Sequence, residues 1–342
     1  MADLLELPFD QYQRYQVTAE LLGRLGVGAG ATVLEVGGAP GPLEGFLPDH
    51  EVFVVDLNGK REGRYAMADG ARLPFADDTF DVVVTLDTLE HVPAADRDAF
   101  LREAKRVSTD LIVLSAPFGD PALELAEDAV NAFVRQRFGG DFPTLDEHRD
   151  HGLPVLDETV ERVANDGWNT AVLPSGYLPR WLLGMIFHHE LLATGVPSLG
   201  ALHAYYNRTV SPLDCRAPSY RHVILASRSR PAAELEAAVD GLRSDGGEDA
   251  AIVALGAIAS AVLAQRLDGR PERAVQELAT LERAIADVER QVVDRDAHIV
   301  ELRHTIDRLV SEREDANNRL AQALNTPTLA DRVIARARKA RS

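Results

Sequence analysis

Three histidines are the side chains of this sequence best suited to exchange a proton near neutral pH: His91, His148 and His151. His91 directly follows a β-rich run, while His148 and His151 stand three residues apart and would share one face of a helix. We therefore interpret all three as candidate catalytic residues. The alternative for His91 is a structural role at the start of a helix, and the alternative for the other two is a polar surface turn.

Carboxylates stand beside these histidines and widen the chemistry that they could perform. Glu147 and Asp150 could pair with the neighbouring histidines, either as a base held by a carboxylate or as a metal site. Glu90 with His91 is an alternative ligand pair for a divalent ion. The spacing matches no zinc motif, and the single cysteine, Cys215, is far away in the sequence. We therefore expect no metal.

A glycine-rich turn follows the first β-rich run. The run Thr32–Val36 leads into Gly37-Gly-Ala-Pro-Gly41, where the backbone can approach a ligand closely and a helix can begin. About twenty residues later the second run ends in Asp56, placed to accept hydrogen bonds from ribose hydroxyls. This combination predicts a nucleotide-type cofactor, and a tight turn that binds nothing is the alternative.

Three further segments complete a recognisable series of motifs. They read Ala68-Asp-Gly-Ala-Arg-Leu-Pro-Phe75, Asp77-Asp-Thr-Phe-Asp-Val-Val-Val84 and Thr85-Leu-Asp-Thr-Leu-Glu-His-Val92. With the turn, they closely resemble the small-molecule class I S-adenosylmethionine-dependent methyltransferase family, whose motifs are E-x-G-x-G-x-G, D, D-x-x-x-L-P-F, F-D-x-V and L-E-H-V. The resemblance is dense over residues 32–118 and weak afterwards. A Rossmann dehydrogenase is disfavoured, because L-P-F and E-H-V have no role there.

The resemblance implies S-adenosylmethionine as the cofactor and assigns the turn to its methionine part. The backbone around Gly37, Gly38 and Gly41 would hold that part, and Glu35 would orient the turn. One position departs from the family, because Ala39 replaces the middle glycine. A methyl group is tolerated there if the backbone keeps a negative φ, so we expect weakened but not abolished binding.

The same resemblance assigns the rest of the cofactor site. Its residues are Asp56, Leu57, Asp69, Gly70, Ala71 and Asp87. Asp56 would bind the ribose and Asp69 the adenine amino group, with Gly70 and Ala71 beside the ring. Asp87 would meet the amino group of the cofactor or the substrate.

The fold that positions these residues is predicted to be α/β, a Rossmann-like sheet with helices on both faces over residues 1–230. Six β-rich runs alternate with helical segments: Thr32–Val36, Val52–Asp56, Phe80–Thr85, Leu111–Ala116, Thr170–Leu173 and His222–Ser227. This alternation is typical of a parallel sheet. Residues 10–25 predict an amphipathic helix, packed over the cofactor or against the sheet. Residues 194–220 predict an insertion that caps the acceptor pocket, with a surface excursion as the alternative.

The C-terminal part is predicted to be organised differently. Residues 231–269 are alanine-rich and helical, residues 270–324 repeat apolar side chains at steps of three and four, and residues 325–342 form a basic tail. The heptads predict a coiled coil that forms a parallel homodimer, with a trimer as the alternative. The tail could lie on an anionic membrane surface or stay solvated.

Composition bounds the partners and the location. The formal net charge of −18 argues against nucleic acid, because phosphate binding needs clustered lysine and arginine. The first residues show no secretion signal, and no stretch is apolar enough to span a bilayer comfortably. We expect a cytoplasmic protein, associated with the inner membrane face if the tail binds lipid.

Together these features predict an O-methyltransferase acting on a sugar or glycan, a glycolipid or a secondary metabolite. The glycan option rests on architecture, a methyltransferase followed by a coiled coil and a basic end. Two alternatives stay open: a methyltransferase-like scaffold that acts through its coiled coil, and an N-methyltransferase of a small amine.

Overall fold

The computed structural model describes residues 4–39, 41–57, 64–140, 142–194 and 199–245. In that part of the chain seven strands form one sheet: β1 (Thr32–Val36), β2 (Glu51–Asp56), β3 (Tyr65–Met67), β4 (Phe80–Leu86), β5 (Ser108–Ala116), β6 (Asn169–Tyr177) and β7 (Ser219–Ser227). Their order across the sheet is β3-β2-β1-β4-β5-β7-β6. Neighbouring strands are parallel except where β7 pairs with β5 and with β6.

Helices connect most of these strands. They are α1 (Phe9–Arg24), α2 (Pro42–Phe46), α3 (Arg97–Val107), α4 (Pro121–Phe138), α5 (Pro143–His151), α6 (Leu156–Ala164), α7 (Leu178–Thr194), α8 (Leu199–Tyr205) and α9 (Ala232–Asp240). A short 3-10 turn, Leu89–His91, follows β4. The predicted first helix is confirmed within one residue at each end.

Strand side chains alternate between two apolar layers, because successive residues of a strand point to opposite faces. Val82 and Val84 belong to the layer that α1, α2 and α9 cover, and Val83 belongs to the layer that α3 and α6 cover. A strand buried on both faces can be apolar at every position, which explains the continuous apolar runs of β4 and β5. The prediction of a sheet with helices on both faces is confirmed.

The expectation of a parallel sheet is wrong at β7. This strand runs antiparallel to both of its neighbours, β5 and β6. The cause is the route of the chain, which leaves β6 at Tyr177 and returns to begin β7 at Ser219, directly opposite. A strand that starts at the edge where its neighbour ends must run in the reverse direction.

The shortest strand, β3, lies at the third strand position expected just before Ala68, but no β-rich run was predicted for it. Its three residues, Tyr65–Met67, are too few to establish the alternation by which a strand is identified. The bounds of β6 and β7 also differ from prediction, because both strands extend by several residues toward the connection between them.

Most of the C-terminal predictions concern residues outside the described part of the chain. These are the coiled coil, the basic tail and the alanine-rich segment beyond Asp245, so the dimer and the membrane contact stay predictions. The described start of the alanine-rich segment forms α9, whose Leu235 and Val239 pack into the first apolar layer. No helix in the described residues combines the length and the apolar character needed to cross a bilayer.

Candidate active site

A cavity of about 530 Å³ opens where β1, β2 and β4 end, at the carboxyl edge of the sheet. Open α/β sheets bind ligands at this edge, and the volume suits a small molecule. Most of the residues nominated from the sequence line this cavity: Gly37, Asp56, Leu57, Asp69, Gly70, Asp87, His91 and His151. The other candidates do not line it: Glu35, Gly38, Gly41, Ala71 and His148.

The glycine turn after β1 has a backbone that suits glycine. Gly37 has a φ of +81°, and its N–H donates to the carbonyl of Val55 at 2.7 Å. A side chain at Gly37 would overlap that of Thr88, and Gly41 has a φ of +104° at the start of α2. Both φ values lie in the region that favours glycine, so the turn can bring its backbone close to a ligand.

Glu35 lies directly beneath this turn, because a side chain on Gly38 would overlap its carboxyl group. Glu35 is 1% exposed, and its Oε2 has no hydrogen-bond partner among the described residues. Burial raises the pKa of Glu35 to about 8, against the opposing effects of the Arg14 charge and a Tyr15 hydrogen bond. Glu35 therefore keeps its proton near neutral pH and can both donate and accept hydrogen bonds beneath the turn.

Two aspartates line the cavity after β2 and β3. Asp56 is the last residue of β2, and Asp69 follows β3, where its Oδ1 accepts from the N–H of Ala71 at 2.8 Å. This hydrogen bond closes a local turn, so Ala71 holds the aspartate in place. Gly70 lies between Asp69 and Ala71, and a side chain there would overlap the ring of Phe100. The turn therefore needs glycine at this position.

Asp87 lines the cavity with its carboxylate held by two guanidinium groups. Arg14 donates to Oδ2 at 3.0 Å, and Arg221 donates to Oδ1 at 3.1 Å and to Oδ2 at 2.8 Å. Asp87 also has a φ of +50°, which is uncommon for a residue with a side chain. Because a bidentate arginine–carboxylate pair fixes both partners, Asp87 is oriented by the protein itself.

Asp10 completes this charged network. The fully buried Arg221 donates to Asp10 at 2.6 Å, and the indole of Trp181 donates to the same oxygen at 2.9 Å. Burial would raise the pKa of Asp10, but the charges of Arg221 and Arg14 lower it overall. Two acids and two arginines thus balance their charges beside the cavity, as buried ions must.

His91 stands on the cavity wall in the turn after β4. Its Nδ1 lies 2.7 Å from Oε2 of Glu147, and its ring centre lies 4.9 Å from that of His148. Burial and then the neighbouring His148 lower the pKa of His91, against the opposing effect of Glu147. His91 is therefore mainly neutral at pH 7, the state in which an imidazole can accept a proton or a cation.

His148 lies behind His91, buried in the protein. Its Nδ1 is 2.8 Å from Oε1 of Glu127, and the same oxygen accepts from the hydroxyl of Tyr220 at 3.0 Å. Its Nε2 is 4.0 Å from Oε1 of Glu90. Burial, together with the charge of Asp87, raises the pKa of Glu90 well above its usual value. We call Glu90, His91 and His148 the histidine–carboxylate cluster.

His151 lies on the cavity at the end of α5, apart from this cluster. Residues 146–151 are helical, as the prediction of a shared helix face for His148 and His151 required. His148 is nevertheless buried, whereas His151 lines the cavity. Arg97 holds the end of α5, because its guanidinium donates to the carbonyl oxygens of His151 and Gly152. The structure thus brings His91 and His148 together and leaves His151 at the rim.

Several site residues were missed by the sequence analysis. They are Asp10, Arg14, Thr88, Glu127, Tyr220 and Arg221. Each acts through a partner far along the chain: Glu127 and Tyr220, which share a hydrogen bond, are 93 positions apart. The carboxylate that contacts His148 is Glu127, whereas the sequence had suggested Glu147 or Asp150 for this role. These contacts depend on which distant segments pack against each other. No local sequence pattern encodes that packing.

The cavity fits the cofactor that the sequence resemblance implies. An amino-acid part, a ribose and an adenine need a close backbone, an acceptor for hydroxyls and an acceptor for an amino group. The glycine turn provides the first, Asp56 at the end of β2 the second and Asp69 the third. The network around Asp87 closes the same wall.

Comparisons with known proteins identify relatives of this chain. Residues 25–110 match the methyltransferase-domain family. An uncharacterized methyltransferase of Mycobacterium sp. (strain JLS) is 31% identical over 173 residues, covering 44% of this chain and 68% of that protein. One from Mycobacterium tuberculosis (strain ATCC 25618 / H37Rv) is 28% identical over 184 residues, with the same shares covered.

One solved structure to which the chain is similar is that of magnesium protoporphyrin IX methyltransferase from Synechocystis PCC 6803 with bound SAH. It is 14% identical to this chain, with a TM-score of 0.39. The match covers 64% of this chain and 86% of that one.

Proposed function

The chain belongs to the S-adenosylmethionine-dependent methyltransferases, and from this premise we propose that it methylates a hydroxyl oxygen of a sugar or glycan, a glycolipid or a secondary metabolite. When bound, S-adenosylmethionine supplies a methyl group on a sulfonium sulfur, which becomes a neutral thioether when the methyl group is transferred. One observation carries the choice of oxygen: His91, paired with Glu147, lies on the wall of the cavity that the strand-end aspartates also line.

We call the glycine turn, Asp56 and Asp69 the cofactor wall. Its residues bind and orient the cofactor. Asp56, Asp69 and Gly37 line the cavity. In the proposed function Asp56 accepts from ribose hydroxyls, Asp69 accepts from an amino group, and the turn at Gly37 presents backbone to the ligand. Alignment of this kind supplies much of the rate of a displacement reaction, because it removes the entropy cost of bringing the reactants into line.

We call the histidine–carboxylate cluster together with Glu147 the acceptor wall. Its residues act on the proton of the acceptor hydroxyl. A hydroxyl is a weak nucleophile until its proton leaves or its developing charge is stabilised. A neutral imidazole at His91 can do this as a proton acceptor or as the ligand of a cation that polarises the hydroxyl. A neutral amine already carries a free electron pair and needs neither, so the histidine–carboxylate cluster favours oxygen over nitrogen as the acceptor atom.

The test has two steps, both on the full-length chain. Isothermal titration with S-adenosylhomocysteine measures cofactor-site binding, and we expect saturable binding. Methyl transfer is then measured on matched acceptors that differ in one group, such as a nucleotide sugar and its amino-sugar analogue. We expect transfer to the hydroxyl compound. Absence of binding at millimolar concentration would contradict the enzyme proposal, and transfer to the amine alone would contradict the choice of oxygen.

A further inference from the structure

The histidine–carboxylate cluster has the geometry of a ligand set. Glu90, His91 and His148 each offer one ligand atom, and these atoms lie within 4.8 Å of one another. Two atoms that bind one metal at roughly 2.1 Å can be at most about 4 Å apart. His148 Nε2 and Glu90 Oε1 are already 4.0 Å apart. Small side-chain rotations would therefore bring all three atoms onto one ion.

Two polar atoms of the cluster are buried without a partner. Oε2 of Glu90 and Nε2 of His148 have no hydrogen-bond partner in the described residues, and the two residues are 1% and 3% exposed. Buried polar atoms are almost always paired with protein, water or an ion. At 4.0 Å the two residues are also too far apart to hydrogen-bond with each other. Both atoms thus point to a missing ligand between them.

The other nitrogen of each imidazole is held by a carboxylate. Nδ1 of His91 contacts Glu147, and Nδ1 of His148 contacts Glu127, which also accepts from Tyr220. Metal-binding histidines typically use one nitrogen for the metal and the other for such an acceptor, which fixes the ring and its tautomer. The two pairs leave Nε2 of each ring as the ligand atom.

We propose that Glu90, His91 and His148 bind one divalent cation through two imidazole nitrogens and one carboxylate oxygen. This departs from the expectation of no metal drawn from the sequence. Two nitrogen ligands favour Mn²⁺, Fe²⁺, Co²⁺ or Zn²⁺ over Mg²⁺ and Ca²⁺, which prefer oxygen throughout. The network Asp10–Arg14–Asp87–Arg221 next to it is balanced in charge and supplies no further anion to the ion.

The cation site also narrows the range of acceptors that the protein could methylate, and this step rests on the proposed function. His91 is the member of the cluster that lines the cavity, so the open coordination positions face the acceptor. Three protein ligands leave three positions free in a six-coordinate ion, and at least two of these are adjacent. An acceptor with two neighbouring oxygens, such as a vicinal diol, would occupy two adjacent positions. Coordination lowers the pKa of the hydroxyl, so that a weak base such as Glu147 or water can remove its proton.

The test measures cation binding on the full-length chain without cofactor. After treatment with EDTA, Co²⁺ is titrated and its visible absorption recorded, and Mn²⁺ and Zn²⁺ are counted by elemental analysis after dialysis. We expect one ion per chain. Glu90→Gln and the half-exposed His91→Asn should each weaken Co²⁺ binding by about 100-fold, and Glu127→Gln by about tenfold. His151→Ala, a neighbouring histidine outside the cluster, should bind Co²⁺ like the wild type.

Circular dichroism confirms that each variant is folded, and the failures are separable. No Co²⁺ binding by the wild type, or binding that survives both Glu90→Gln and His91→Asn, overturns the cation site. If S-adenosylhomocysteine still binds in that case, the proposed function stands. If Co²⁺ binds as expected but no acceptor is methylated, the cation site stands and the proposed function falls. A vicinal diol methylated no faster than its single-hydroxyl analogue overturns the chelating acceptor.

Discussion

A buried glutamate lies behind each wall of the cavity, Glu35 behind the cofactor wall and Glu90 behind the acceptor wall, and the chain builds their surroundings differently. Glu35 sits under the glycine turn a few residues away, and Asp69 is held by Ala71 two positions on. Glu90 faces His148, which belongs to a helix far along the chain and is held in turn by Glu127 of another. The cofactor wall is thus made of local turns, whereas the acceptor wall is assembled from distant segments.

The two walls therefore differ in how far their residues can be recognised from the sequence. A turn that positions its own residues has a sequence pattern, because spacing and conformation are fixed together. A wall made of side chains from separate helices has no such pattern and can change one partner at a time. Under the proposed function, we therefore expect cofactor binding to depend on the first wall and the choice of acceptor on the second.

The largest expected effect tests whether the walls act separately. His91→Ala should lower turnover by about 10²–10⁴-fold, because it removes the group that assists the acceptor hydroxyl. Affinity for S-adenosylhomocysteine should stay near the wild-type value, since His91 contacts Glu147 and not the glycine turn. Turnover and titration are measured on the same preparations.

His151→Ala is the matched comparison, because His151 lines the same cavity outside the cluster. It should lose less than about tenfold in turnover. Equal losses in the two variants, or a parallel loss of S-adenosylhomocysteine affinity in His91→Ala, would show that the walls are not independent.

Arg221 is the buried centre of the charged network beside the cavity, and its loss should be the next largest effect. Arg221→Met leaves Asp10 and Asp87 without the guanidinium that pairs them, so the free energy of unfolding should fall by about 3–5 kcal/mol. Denaturant unfolding measures this. Arg162→Met, which removes an exposed arginine of α6 paired with the exposed Asp98 and Glu158, should change it by less than about 1 kcal/mol. Similar values for both would mean that the buried network adds no stability.

Sequence reasoning succeeded where a segment carries its own pattern. The run Thr32–Val36, the turn after it and the apolar strand β4 were predicted because their information is local. The direction of β7 was not, because it depends on where the chain returns after Tyr177. The pairing of His91 with Glu147 spans 56 positions and leaves no periodic trace. Both residues were nominated, but their contact could only come from the packing of α5 against the turn after β4.

A smaller effect is expected on the cofactor wall. Asp56→Ala should weaken S-adenosylhomocysteine binding by roughly 1–3 kcal/mol, about tenfold to a hundredfold, because hydrogen bonds to the ribose are lost. Asp69→Asn should cost less, since one adenine contact is lost while Oδ1 can still accept from Ala71. Titration measures both. A cofactor affinity unchanged by Asp56→Ala would remove the ribose role from this residue.

The last effect is gradual and concerns the protonation of Glu35. Its pKa rises from 4.5 to about 8 on folding, so between these values the unfolded chain has lost a proton that the folded protein keeps. The stabilising contribution of the protonated form is present below pH 4.5 and is lost as pH rises to about 8. The loss is at most about 1.4 kcal/mol per pH unit.

Glu35→Gln is neutral at every pH and should remove this part of the dependence. Unfolding measured from pH 5 to pH 9 for both proteins gives the difference curve, which should fall across the window and then level off. A flat difference would mean that the carboxyl group is ionised in the folded protein.

The reversal of β7 has a consequence for how such a protein changes over generations. Because β6 ends and β7 begins at the same edge of the sheet, the excursion between Tyr177 and Ser219 starts and finishes at the edge where the cavity opens. Chain can be gained or exchanged there without adding a strand or shifting a register, since lengthening a surface connection costs little. A lineage with this topology can therefore vary the segment at this edge while it inherits the strands and turns of the cofactor wall.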